Sequence, residues 1–306
     1  MVVKCFLKKF QKTLYNFSLM KYNSHIENFK NRRGYLKMKK IIALLMSVTM
    51  LFAFAGCGTA DSSSKSDTAV KSDMEYVKEK GKLVVGITVF EPMDYQDADG
   101  KWVGFDADMA TAFAESLDVD VEFQIIDWES KAMELKGKTI DVVWNGMTLT
   151  DEVTAAMDCS NAYFNNAQVV IVKAEDADKY KTVDSVKGLS FAVENGSAGA
   201  EQVAALGADY TPVADQATAL TEVMSGTADA AVIDFLMAIS MIGEGTSYEK
   251  LTHTVSLNEE KYGVGFRKNS DLVDELNEFF KTTYKDGTMK KIAEKYGIED
   301  YLVVQE

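Results

Sequence analysis

From residue 82 onward the sequence keeps switching between two hydrophobic periods, and this most restricts its possible folds. "KLVVGITV" (82–89) is a β-branched run of the buried-strand type. "FDADMATAFAESL" follows, with Met109, Phe113 and Leu117 at helical spacing and Asp106 expected as the cap. "VDVEFQII" then reads as a strand, "ESKAMELKG" as a helix and "TIDVVWNG" as a strand. The alternation continues through "AQVVIVKA", "LSFAVEN", a helix from Ser197, "ATALTEVMSG", "ADAAVID", "FLMAISMIG" and "YGVGFRK". Two helices, near 271–283 and 288–296, close the chain. Repeated βα alternation predicts open α/β sheets, in which ligands sit beyond the carboxyl ends of the strands.

Charge and composition exclude several functions. Of 33 Lys and Arg, 11 lie in the first 40 residues, while all but one of the 47 acids lie beyond them. The long remainder is strongly acidic and should repel nucleic acid, whose binding depends on neutralising phosphates. Its plainest reading is a charged, soluble surface. Cys5, Cys57 and Cys159 are too scattered for a disulfide framework or a metal pair, and His25 and His253 are the only histidines. Metal and Ser-His chemistry therefore lack raw material, and neither a metal nor a cofactor is expected. There is no Walker motif, and "GVG" at 263–265 continues to Phe266 and Arg267 as plain strand.

The front of the chain reads as an address. In "MKKIIALLMSVTMLFAFAGCG" (38–58) a basic tip precedes an apolar run from Ile41 to Phe54, and then the small residues Ala55 and Gly56. That is the order of a secretory signal, over 38–56, and the run is short for a membrane span. Met38 is then the true start and 1–37 an over-extension of the reading frame; the alternative is that 1–37 is a genuine basic leader. "FAGC" resembles the lipobox of bacterial lipoproteins, which implies Cys57 as the acylated residue, with Phe54 where leucine is usual. Residues 57–81 would form a polar tether and a short helix. Lipid and tether together imply a soluble body held at the outer side of the cytoplasmic membrane, or its periplasmic side.

"WNGMTLTDEVTAAM" (144–157) reads as a strand end, a turn and a first helical turn. Thr150 is the expected N-cap, with Asp151 and Glu152 placed favourably for the helix dipole. Gly146 permits close approach to the backbone. Thr148 and the amides of Gly146 and Met147 could hold an anion, as could Ser197 and the amides after it, though each also has an ordinary role in turns and caps. The third helical position is Val153, so the elbow offers donors without a cation.

From Lys82 to the end, the chain resembles the solute-binding proteins of polar amino-acid ABC importers, the bacterial extracellular solute-binding proteins of family 3. The likeness rests on segment order. "KLVVGITVFEPMDY" is similar to the opening strand and its aromatic-proline loop, and "DGKWVGFDADMATAFAESL" to the family's G-x-x-x-G-F-D-x-D stretch. "TIDVVWNGMTLTDE", "KGLSFAVENGSAG" and "ADAAVID" resemble later family segments in the family's order. The resemblance implies a two-lobed, periplasmic-binding-protein-like (type II) α/β fold with a ligand cleft between the lobes. Lobe 1 would be 82–165 plus 263–306, and lobe 2 would be 166–262. It further implies a monomer that captures a small polar solute, an amino acid above all, for ABC permease and ATPase subunits, and no catalysis.

Residue by residue, the resemblance sets Asp234 against a ligand ammonium, although Asp234 also suits a helix N-cap. Phe90 and Trp128 would cover the ligand, or else belong to the core. Gly146, Met147 and Thr148 on one side, and Ser197 and Ala198 on the other, would receive its carboxylate. Val153 stands where the family carries the arginine that forks onto that carboxylate. The one arginine after residue 33, Arg267, is expected on a strand away from the cleft. Lys131 could replace the missing cation, but its ordinary reading is a solvated helix face. Two ligand classes stay open: an amino acid, or an amine lacking the acid and held by cation–π contact with Phe90 and Trp128. A cyclohexadienyl-dehydratase-like enzyme using Glu194 as its acid, and a sensor module, are further alternatives.

Overall fold

The computed structural model describes residues 71–306. Segments 1–37 and 38–56, Cys57 and most of the tether lie outside the described residues. The helix expected at the tether's end is α1 (Asp73–Lys80), capped by Ser72, whose hydroxyl accepts from the Glu75 amide. No helix among the described residues is long and apolar enough to cross a membrane.

Two open sheets follow. The first is built from β1 (Lys82–Ile87), β4 (Asp120–Ile125), β5 (Val142–Thr148), β6 (Asp158–Cys159) and β13 (Glu260–Phe266), in the order β4-β1-β5-β13-β6. A short strand, β7 (Phe164–Asn166), also pairs with β13. The second contains β8 (Gln168–Lys173), β9 (Phe191–Glu194), β10 (Tyr210–Val213), β11 (Ala230–Asp234) and β12 (Leu251–Ser256), in the order β10-β9-β11-β8-β12. A two-residue pair, β2 (Tyr95–Gln96) with β3 (Trp102–Val103), stands apart. The chain crosses from the first sheet to the second between β7 and β8, and returns between β12 and β13. This is the expected two-lobed α/β fold.

The central strands of each sheet are buried on both faces, whereas the edge strands β4, β10 and β12 are partly exposed. β1 is buried from Leu83 to Ile87, and β11 along its entire length. On the first sheet, Trp144 packs edge-on to Phe113 and Phe280, which arrive from helices α2 (Phe105–Ser116) and α9 (Leu272–Lys285). On the second, Val170, Val172, Phe191, Val193 and Val232 form a separate cluster. Arg267 lies at the far end of β13, where its Nε donates to Asp73 at 2.9 Å and its Nη1 to the Ile140 carbonyl at 2.9 Å. It ties α1 to the first sheet, away from the cleft.

Asp106 departs from expectation. Gly104 occupies the N-cap position of α2, and Asp106, the second residue of the helix, lies wholly buried in its first turn. Its carboxylate accepts from Trp144 Nε1 at 3.1 Å, the Gly146 amide at 2.6 Å and the Tyr163 hydroxyl at 2.8 Å. Three internal donors outcompete a capping role, so Asp106 fastens α2 to the end of β5.

Candidate functional site

The carboxyl ends of β5, β9 and β11 converge on a cavity of about 670 Å³, counted out to its open mouth. Phe90, Trp128, Gly146, Met147, Thr148 and Val153 line it from the first lobe, and Ser197, Ala198 and Asp234 from the second. Thr150 caps α4 (Asp151–Ala156) by accepting from the Val153 amide, which leaves the Val153 side chain facing the cavity. Among the described residues that line the cavity there is no arginine, and Lys131 is the one cation.

The elbow works differently from its sequence reading. Strand β5 runs on through Gly146 and Met147 to Thr148, so the turn begins later. The Gly146 amide is spent on Asp106. Met147 lies opposite Gly263 in the antiparallel ladder, two residues before Leu149, whose amide donates to the Lys261 carbonyl. With that two-residue repeat the Met147 amide also points into the sheet. The Thr148 hydroxyl donates to Glu260 at 2.9 Å. Gly146 instead provides bare surface: at φ +56° an added Cβ would stand 2.5 Å from the Phe90 ring. In the second lobe the Ser197 hydroxyl accepts from the Ala200 amide. The first-turn amides of Ala198 and Gly199 are thus orphan donors at a helix N-terminus, beside the cavity.

Asp234 ends β11 and is only 4% exposed. Although it stands at the N-cap position of α8 (Phe235–Met241), its side chain makes no capping bond. Oδ1 accepts instead from Asn166 at 2.6 Å, Gln168 at 3.1 Å and the Tyr262 hydroxyl at 2.7 Å, while Oδ2 accepts from Gln216. An ionised carboxylate offers about four acceptor positions. Oδ1 takes three donors and Oδ2 only one of the about two that a carboxylate oxygen accommodates, so the spare position belongs to Oδ2, on the side of Gln216, which also lines the cavity. Burial, and then the Glu260 charge, push Asp234 up to about 7 despite these donors. Asn166 and Gln168 also bond Glu260, at 2.6 and 2.8 Å, so the crossover segments hold both acids in one network.

The cavity is acidic. Asp234, Glu194, Glu129, Glu152 and Glu201 line it, against Lys131 as the one cationic side chain among the described lining residues. Lys131 is half-buried, not on a solvated face. Its Nζ donates to the Trp128 carbonyl at 3.2 Å and, across the cleft, to the Gly196 carbonyl at 3.0 Å, and it stands 4.9 Å from the Trp128 ring centre. Burial lowers its pKa, and the surrounding glutamates oppose that shift. Asn195 meets Glu129 across the same gap, and Gly196, at φ +68°, approaches so closely that a Cβ would stand 2.8 Å from the Glu129 Cα. Phe90 and Trp128 are both core and lining, at 3% and 8% exposure. Gln216, Gln168, Asn166 and Glu260 had no distinguishing sequence signal, since each reads as an ordinary polar residue at an element's edge.

Comparison with known proteins identifies relatives of the chain. The family model for bacterial extracellular solute-binding proteins, family 3, matches residues 83–299. The L-cystine-binding protein TcyA of Bacillus subtilis is 31% identical over 268 residues, covering 86% of this chain and 99% of the relative. The arginine-binding extracellular protein ArtP of the same organism is 27% identical, covering 85% and 98%. A solved ABC uptake transporter substrate-binding protein from Streptococcus pneumoniae, with bound histidine, superposes with a TM-score of 0.69 at 29% identity, over 76% of this chain and 99% of that one.

Proposed function

Because the chain belongs to the bacterial extracellular solute-binding proteins of family 3, we propose that it captures an amino acid in the cleft and hands it to an ABC permease. The family is one of binding proteins, as are the relatives named above, and the chain is a binding protein rather than an enzyme. The observation that carries the reading is Asp234: a buried carboxylate, braced by four donors, with an unused acceptor position at the cavity. An ammonium there replaces an expensive desolvated charge with a charge-assisted pair. Residues 82–165 with 263–306, and residues 166–262, act as the two jaws. Phe90 and Trp128 cover the solute, and the Ser197–Ala198 helix end receives its carboxylate through neutral amides, in place of the family arginine. Gly146, Met147 and Thr148 form the wall opposite.

A second reading, an amine without a carboxylate, is favoured by one specific observation. The elbow's donors are already committed to Asp106, Glu260 and the sheet, and Val153 supplies no charge. Calorimetric titration with a panel of amino acids and their decarboxylated counterparts separates the two. Silence toward every amino acid, with a response to amines, rejects the first. Val153→Arg is expected to tighten amino-acid binding by about tenfold, equivalent to about 1.4 kcal/mol, and to leave amines unimproved. Unchanged amino-acid affinity in that variant would mean that no ligand carboxylate reaches α4.

Envelope anchoring belongs to the same proposal. Residues 38–56 direct export, and Cys57 carries the lipid that keeps a monomeric binding protein beside its permease. Metabolic fatty-acid labelling is expected to mark the protein and to vanish in Cys57→Ser. Equal labelling of that variant would reject Cys57 as the acylated residue.

A further inference from the structure

Glu194 ends β9, the strand parallel and adjacent to β11, and lines the same cavity as Asp234. It is 3% exposed, and its Oε1 has no hydrogen-bond partner among the described residues. An acceptor buried without a donor is costly, and the cost is recovered only when something brings a donor to it. Lys131 does not, because its ammonium is held by the Trp128 and Gly196 carbonyls instead. The Gln216 side chain, which also acts on the Glu194 carboxyl, is engaged with Asp234, donating to its Oδ2 and accepting from its amide at 2.9 Å, and leaves Oε1 of Glu194 unpartnered. The unmet acceptor is therefore open to a donor from the cavity that Glu194 lines.

We propose that Glu194 is a second cation-recognition group, so that the solute carries two positively charged nitrogen groups, one for Asp234 and one for Glu194. This rests on the cleft reading above and makes it narrower. Three observations support it. The two buried carboxyls are neighbours in one small cavity, so a solute with a single positive charge leaves one of them uncompensated. The rim repeats the sign with Glu129, Glu152 and Glu201, which attracts cations and disfavours acidic solutes. Burial first, and then the nearby Asp234 charge, raise Glu194 to about 8, and the Gln216 amide and the Lys131 charge offset them only in part. Such a dication is either a basic amino acid or a diamine; both present the second nitrogen, and they differ only in the carboxylate.

The test is calorimetric titration of the intact protein at about pH 8, pairing cations with neutral analogues of similar shape. L-arginine, L-lysine, agmatine and cadaverine are set against L-citrulline, L-glutamine and L-norleucine. At least one dication is expected to bind tenfold or more tighter than every neutral probe. If L-arginine or L-lysine leads, the solute is a basic amino acid; if agmatine or cadaverine leads, it is a diamine. Glu194→Gln keeps shape and removes charge. It is expected to weaken the best dication tenfold or more, leave neutral probes within about twofold, and preserve the cooperative melt. A neutral probe binding as tightly as the dications, or a folded Glu194→Gln variant that keeps the preference, overturns this inference and leaves the cleft reading standing. Should Glu194→Gln not fold, Glu194→Asp, which retracts the charge by one methylene, is expected to weaken dications alone, and equal weakening of all probes overturns the proposal. Silence toward every probe in the unsubstituted protein overturns the cleft reading, and this inference with it.

Discussion

Asp234→Asn is expected to weaken solute binding by roughly 30-fold to more than a thousandfold, the 2–5 kcal/mol that follows when one member of a buried charge pair is removed. The loss has two parts. The ammonium loses its counter-charge, and half of the asparagine side chain becomes a donor among the Asn166, Gln168, Gln216 and Tyr262 donors that now converge on a carboxylate. Calorimetry with the tightest-binding probe measures it. The effect should be alike for amino acids and amines, because both use this ammonium. An affinity within a fewfold of the parent would mean that the solute's amine sits elsewhere, and the assignment of the cleft would fall. Comparison with Glu194→Gln is informative: Asp234 should matter to every ligand, and Glu194 only to those with a second positive group.

The architecture was legible because its central strands are buried on both faces and read as apolar, largely β-branched runs, while the intervening helices keep their apolar spacing. Two edge strands, β10 and β12, lack that signal. β10 contains Pro212 and is mostly exposed, and β12 alternates with polar residues, so neither carries an apolar run. The boundaries of β5 were harder still. Gly146 in the sequence suggests a turn, yet the strand runs through it, because the Phe90 ring lies against its bare Cα and Asp106 accepts its amide. Those partners are 56 and 40 residues distant, beyond the reach of local pattern.

The same distance explains the site. Each cavity-lining position reached through the family likeness sits at a strand end or helix start, where sequence order alone suffices to name it. Their chemistry depends on partners from elsewhere in the chain. Asp234 looks like a cap until Asn166, Gln168, Gln216 and Tyr262 are seen around it. Lys131 looks like helix surface until the second lobe's Gly196 carbonyl meets it. Asp106 likewise looks like a cap because its three donors come from the distant residues Trp144, Gly146 and Tyr163. Helix starts attract acids for a local reason, and here tertiary donors override it.

Binding should strengthen steeply with pH while the ligand-free protein loses stability. Burial, then Asp234, raises Glu194 to about 8, and burial, then Glu260, raises Asp234 to about 7. Both lie above the ordinary carboxylate range, so over this interval the folded, empty protein holds protons that the unfolded chain has released. Their stabilising contribution is complete below the ordinary carboxylate pKa and is lost as pH rises through about 7 and then about 8. The melting temperature of the empty protein is thus expected to fall between about pH 5 and pH 8. Gln216, Tyr262 and Gln168 soften the fall by bonding the ionised form of Asp234, and Lys131 by its charge near Glu194. A cationic solute needs those same carboxyls ionised. Its affinity should rise by roughly tenfold per pH unit for each one that must lose a proton, and level off above about pH 8. Titrations in buffers of different ionisation enthalpy count the protons released, with one to two expected near pH 6 if both carboxyls take part. Glu194→Gln should remove the step near 8 and leave that near 7. A flat affinity from pH 6 to 8, without proton release, would show that the solute touches neither buried acid, because ionising a desolvated carboxyl beside a bound cation cannot be thermodynamically silent.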